Sequence, residues 1–133
     1  MIRVALILPL LLAACATAPG SGGARSAPVY DGVETSLLEG DLVQFHVSMR
    51  DVRDAGDLDK YAECAAAQYA LIRGYGFARH VRTTMKQAGG SRTADAVYLI
   101  SPALPRGLRT IDAEVVVADC AANGIPSVSE SRA

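Results

Sequence analysis

The chain has 133 residues, half of them hydrophobic and a fifth charged, with a formal net charge of −1. That length leaves room for one domain once a targeting segment is removed. The near-neutral balance excludes bulk attraction to nucleic acid.

In chain order, residues 1–14 read as a signal peptide. Met1-Ile2-Arg3 is a short positive start, and Val4 to Leu12 is a nearly unbroken apolar run. The run is too short for a bilayer, which needs about 20 residues, and small residues follow it, as in an exported precursor that is cut. Leu12-Ala13-Ala14-Cys15 resembles the bacterial lipobox. That resemblance implies transfer of a diacylglyceryl group to the Cys15 thiol, cleavage before Cys15, and a membrane anchor through the attached lipid. A single short chain binds only reversibly, at about 0.8 kcal/mol per buried CH₂, so stable anchoring requires the two or three chains such a cysteine carries. By the same resemblance, Ala16 rather than Asp after the cysteine implies placement in the outer membrane facing the periplasm. Residues 15–27 are rich in Gly, Ser, Ala and Pro and predict a flexible tether.

Residues 28–120 predict a small α+β domain, and 121–133 a polar tail. Four segments alternate as strands do. In the first, Val43, Phe45, Val47 and Met49 face one way, with Gln44, His46 and Ser48 opposite. Asp57 is then placed to cap a helix in which Leu58, Ala62, Ala65, Tyr69 and Ile72 recur at helical spacing and which Gly74 ends. The second strand, Phe77 to Lys86, sets Phe77, Val81 and Met85 on its apolar face. The third, Thr93 to Ser101, is apolar on both faces, which suits a central strand. The fourth, Arg109 to Ala118, aligns Ile111, Ala113, Val115 and Val117. Gly89-Gly90 predicts a hairpin and Pro102 to Gly107 a wider loop. The predicted fold is one Ala-rich helix packed on a four-stranded sheet in the order β-α-β-β-β. If the first two strands pair, the helix between them makes them parallel.

The unit running from Phe45-His46-Val47-Ser48-Met49 through Tyr61-Ala62-Glu63-Cys64-Ala65-Ala66-Ala67 to Gly74-Tyr75-Gly76-Phe77 resembles small uncharacterised lipoproteins of alphaproteobacteria. Cys64 departs from their pattern. The resemblance implies location and fold; it supplies no catalytic residues.

With Cys15 lipidated, Cys64 and Cys120 remain, and in an oxidising compartment such a pair in a small domain is often bonded. Strand parity opposes this, because an unbroken fourth strand points Cys120 away from the helix. Two separate thiols are the alternative. Charge is uneven along the domain. Residues 31–63 carry nine acidic groups against three basic, and residues 73–109 carry seven basic groups against Asp95 alone. Arg79, Arg82, Lys86, Arg106 and Arg109 therefore offer a basic face for an anionic envelope polymer such as lipopolysaccharide or peptidoglycan. The plainer alternative is that the two halves screen each other.

His46 and His80 fall on even-numbered polar faces without the further ligands zinc requires. Asp51, Asp54, Asp57 and Asp59 lack the closing Glu of a calcium loop, since position 62 is Ala62. Gly74-Tyr75-Gly76 follows a helix rather than preceding one, so it holds no phosphate. No cofactor, metal or catalytic group is expected. The favoured expectation is a non-enzymatic envelope lipoprotein acting as an accessory or contact module with an envelope protein partner. The alternative is a binding module for a small ligand or an anionic polymer.

Overall fold

Alternation of apolar side chains along Val43 to Met49 buries one side of a strand and leaves the other for solvent. The computed structural model describes residues 27–128 and carries that strand inside an antiparallel sheet. The elements are β1 (Val29–Leu37), β2 (Leu42–Arg50), α1 (Ala55–Ile72), β3 (Phe77–Ala88), β4 (Ser91–Ser101), β5 (Thr110–Asp112) and α2 (Ala113–Ala122). The strand order is β1-β2-β4-β3-β5, and every neighbouring pair is antiparallel.

The core lies between α1 and one face of this sheet. Val43, Phe45, Val47 and Met49 of β2 and Ala94, Ala96, Tyr98 and Ile100 of β4 are all buried. Their register sets Phe45 beside Ala96 and Val43 beside Tyr98. From the helix come Leu58 and Tyr61, followed by Ala62, Ala65, Ala66, Ala67 and Ala70. Five methyl-sized residues on the buried side let the helix axis come close to a sheet that presents Phe45, Met49 and Tyr98. Gly74, at φ 77°, closes the helix. Its N–H reaches the Leu71 carbonyl at 2.9 Å, and the Tyr75 N–H reaches that of Ala70 at 2.8 Å.

The four-stranded, one-helix arrangement predicted from sequence is corrected in three places. First, β1 is an additional strand. Its apolar residues Tyr30 and Val33 sit an odd number apart, which hides the alternation. A bulge between Tyr30 and Gly32 restores both to the side facing α1, opposite Met49 and Val47.

Second, the predicted fourth strand is mostly helix. Only Thr110–Asp112 pairs with β3, and α2 begins at Ala113. The Asp112 carboxylate accepts hydrogen bonds from the Glu114 and Val115 N–H groups at 3.1 and 3.3 Å, which is an N-cap. Burial then follows helical spacing through Ala113, Val116 and Cys120, while Val115 is left 65% exposed. Capping and packing thus override the β preference of Val115-Val116-Val117.

Third, β2 and β3 are not neighbours, because β4 lies between them; the parallel pair considered from sequence does not exist. Two smaller corrections concern α1. Its N-cap is Asp54, while Asp57 sits in the first turn and accepts from the Arg53 backbone and guanidinium. Ile72, counted on the apolar face, is exposed.

Candidate functional site

The two cysteines of the domain are joined. Cys64 on α1 and Cys120 on α2 form a disulfide with a Cα–Cα distance of 6.0 Å and a sequence separation of 56. The parity objection disappears once the last segment is a helix, since Cys120 then falls on the same side as Ala113 and Val116. Lys60 and Asp119 add an ion pair at 2.7 Å across the two helices. That contact raises the Lys60 pKa and lowers that of Asp119. Cys15, the predicted lipidation site, lies outside the described residues.

The five basic residues grouped from sequence do not form one face. A bulge between His80 and Arg82 resets the side-chain alternation of β3. As a result Arg79, Arg82 and Lys86 stand opposite Leu99, Val97 and Thr93, all on the side of the sheet away from α1. An unbroken strand would have set Arg79 and Arg82 on opposite faces. Arg79 is half-buried against the loop at Gly107 (φ 113°), where a Cβ would come within 3.3 Å of the Arg79 Cδ. Arg82 and Lys86 are exposed, and Arg106 is exposed in the loop before β5. Arg109 does not join the row.

His46 shares that open face and its Nδ1 lies 2.6 Å from Asp95 Oδ1, to which Gln44 Nε2 also donates at 3.3 Å. His80 does not. The same bulge turns it to the α1 side, opposite Tyr98, so the two imidazoles are on different faces. Among the described residues no group of three or more His, Cys, Asp or Glu is arranged to hold a metal ion.

On the α1 side of β3 and β4, a cavity of about 220 Å³ is lined by Asp59, Glu63, His80, Tyr98, Arg109 and Ile111. Asp59 and Glu63 are one helical turn apart on α1 and so present two carboxylates together. Arg109 enters from the residue just before β5 with φ 60°, a left-handed conformation costly for a residue with a side chain. Its carbonyl accepts the His80 N–H at 3.1 Å. His80 Nε2 lies 2.6 Å from the Thr83 hydroxyl, and its ring stands edge-on to Tyr98 with centroids 5.2 Å apart.

Burial, then the Arg109 charge, lowers the His80 pKa, with Asp59 acting the other way. Burial, then the Glu63 and Asp59 carboxylates, raises that of Tyr98. From sequence, Arg109 is grouped with the basic face, His80 and Asp59 are weighed only as metal ligands, and Glu63 and Tyr98 are given to no site. The hidden signal was the Val81 bulge, which leaves no trace in period-two alternation.

Comparison with known proteins bears on family and not on chemistry. The chain is 33% identical over 86 residues to an uncharacterised 26.9 kDa protein in the nqo8 5′ region of Paracoccus denitrificans. The aligned part is 65% of this chain and 34% of that protein, so the chain spans about a third of the length of the relative it matches. This agrees with the resemblance to small uncharacterised alphaproteobacterial proteins. No solved structure matches. Residues 30–124, which take in every helix and nearly every strand described above, match the family model for the YNQ4 C-terminal domain, and the chain belongs to that family.

Proposed function

We propose that the chain is a bacterial envelope lipoprotein. It is exported, cut ahead of Cys15, acylated on that thiol and held at the periplasmic side of the outer membrane. Its domain acts there as a non-enzymatic accessory module that contacts an envelope protein neighbour. The observation that carries this reading is the Cys64–Cys120 disulfide, because stable disulfides in small domains belong to oxidising compartments. It agrees with a start made of Met1-Ile2-Arg3, an apolar run and Leu12-Ala13-Ala14-Cys15.

The test is metabolic labelling with a radioactive or alkyne-bearing fatty acid, comparing wild type with Cys15→Ser, followed by membrane fractionation and crosslinking. The reading requires label and membrane association in the wild type, loss of both in the variant, and a reproducible crosslinked envelope protein. An unlabelled wild-type protein in the soluble fraction refutes it.

A second reading has its own observation. Arg79, Arg82 and Lys86 share one open face, and none of them has an ion-pair partner within 4.0 Å among the described residues. Such a row suits an anionic polymer such as lipopolysaccharide. Salt-sensitive binding that the Arg82→Glu/Lys86→Glu variant loses supports it, and binding unchanged in that variant removes it.

A further inference from the structure

The cavity beneath β3 holds charges of both signs that do not touch. Asp59 and Glu63 line one part of it and Arg109 another, yet no carboxylate–guanidinium contact within 4.0 Å involves them among the described residues. Opposite charges that line one small cavity attract and commonly close on each other. Here they stay apart: the Arg109 backbone is fixed by the His80 N–H to its carbonyl, its side chain is exposed at the rim, and the carboxylates are carried on α1.

A separate observation points the same way. Tyr98 is 5% exposed, lines this cavity, and its hydroxyl has no hydrogen-bond partner among the described residues. The hydroxyl is open to the cavity, so its partner is whatever occupies that space, water or a ligand. Two of the larger hollows, of about 420 and 550 Å³, border Ser127 and Val128, next to chain outside the described span, and a third, of about 260 Å³, is lined by Lys86 and Arg92 without a carboxylate. The smaller cavity is bounded by described elements and holds charges of both signs.

We propose that this cavity binds a small zwitterion, with its ammonium group on Asp59 and Glu63, its anionic group on Arg109, and the Tyr98 hydroxyl completing the polar contacts. A volume of about 220 Å³ holds about seven waters' worth of matter, the size of a small α-amino acid or of an ethanolamine phosphate. A bare metal ion does not fit, since the His and carboxylate groups present do not converge as ligands. A simple anion would face two carboxylates, and a simple amine would face Arg109. Only a molecule carrying both charges answers both. This site is on the opposite side of the sheet from the basic row and stands or falls independently of the lipid anchor.

The test is NMR titration of the full chain, purified in the uncharged detergent dodecyl maltoside. The resonances followed are those of His80, Tyr98 and Arg109. The probes are L-alanine, D-alanine and O-phosphoethanolamine, with acetate and ethylamine as single-charge controls. The site predicts saturable shifts for at least one zwitterion and binding weaker by about ten- to hundredfold for either control, the loss of one charge-assisted contact.

Arg109→Gln and Asp59→Asn/Glu63→Gln each weaken the zwitterion by a similar factor. Two-dimensional spectra that keep the dispersion of the wild type show these variants are folded. A preference for O-phosphoethanolamine assigns the source as a lipid headgroup, and a preference for alanine assigns it as a free amino acid. Shifts equal for acetate, ethylamine and the zwitterions, or no saturable shift with any of them, overturn the proposal.

Discussion

Two faces of one sheet divide the work of this domain. On the face toward α1, Phe45, Val47 and Met49 have no measurable exposure. On the other face their immediate neighbours His46 and Ser48 are half-open, and β3 adds Arg79, Arg82 and Lys86. The same strands build both, one residue out of step. Stability is therefore concentrated in one set of side chains and surface chemistry in the other, and the cavity around Tyr98 lies on the covered face, lined by α1, β3, β4 and β5.

The sharpest way to break that comparison is to truncate neighbours on β2. Phe45→Ala should cost about 3–5 kcal/mol, through lost burial and the cavity left behind. His46→Ala should cost less than about 1 kcal/mol, since its bond to Asp95 is partly solvated. Chemical denaturation of the two variants checks this, and similar losses would mean the open face is covered in solution. Next in size is the tie between α1 and α2. The Cys64→Ala/Cys120→Ala variant should lose about 2–4 kcal/mol, the upper figure being the loop-entropy value for a closed loop of this length. A denaturation midpoint equal to that of the wild type would show that the disulfide does not constrain the unfolded chain.

A smaller effect follows from pH. His80 has a folded pKa below its usual 6.5, because burial and Arg109 disfavour the imidazolium. Below pH 6.5 the unfolded state therefore binds a proton the folded state refuses. The stability attached to neutral His80 is complete above pH 6.5 and is lost as pH falls through the window beneath it. His80→Gln should flatten the stability profile there. A profile that still falls by the same amount would assign the loss to other groups. The smallest expected change is on the open face, where Arg82→Glu should leave the thermal midpoint in place, as surface changes away from packed groups generally do.

How much of this was legible from residues alone follows from where regularity holds. β2, β4 and, apart from its cap and Ile72, α1 read correctly because their apolar spacing is regular and one face of each is buried, and Gly89-Gly90 marks the turn between β3 and β4. β1 was missed because its bulge sets Tyr30 and Val33 out of phase. α2 was read as a strand because Ile111, Ala113, Val115 and Val117 alternate, and the Asp112 cap that decides the matter counts for nothing in a parity argument. The site suffered in the same way. Once β3 slips by one residue at Val81, Arg79 joins Arg82 and His80 leaves His46, while Arg109, ahead of β5, lines the cavity with Asp59 and Glu63 rather than the basic row. Local irregularities carry little sequence signal, yet each reassigns every side chain beyond it.

The placement of the protein is tested most directly by intact-mass analysis of chain taken from native membranes, alkylated without reduction. The account predicts a product that begins at Cys15, carries the added mass of its acyl chains, and takes up no alkylating agent at Cys64 or Cys120. A chain that still begins at Met1, with Cys15, Cys64 and Cys120 all alkylated, would contradict it.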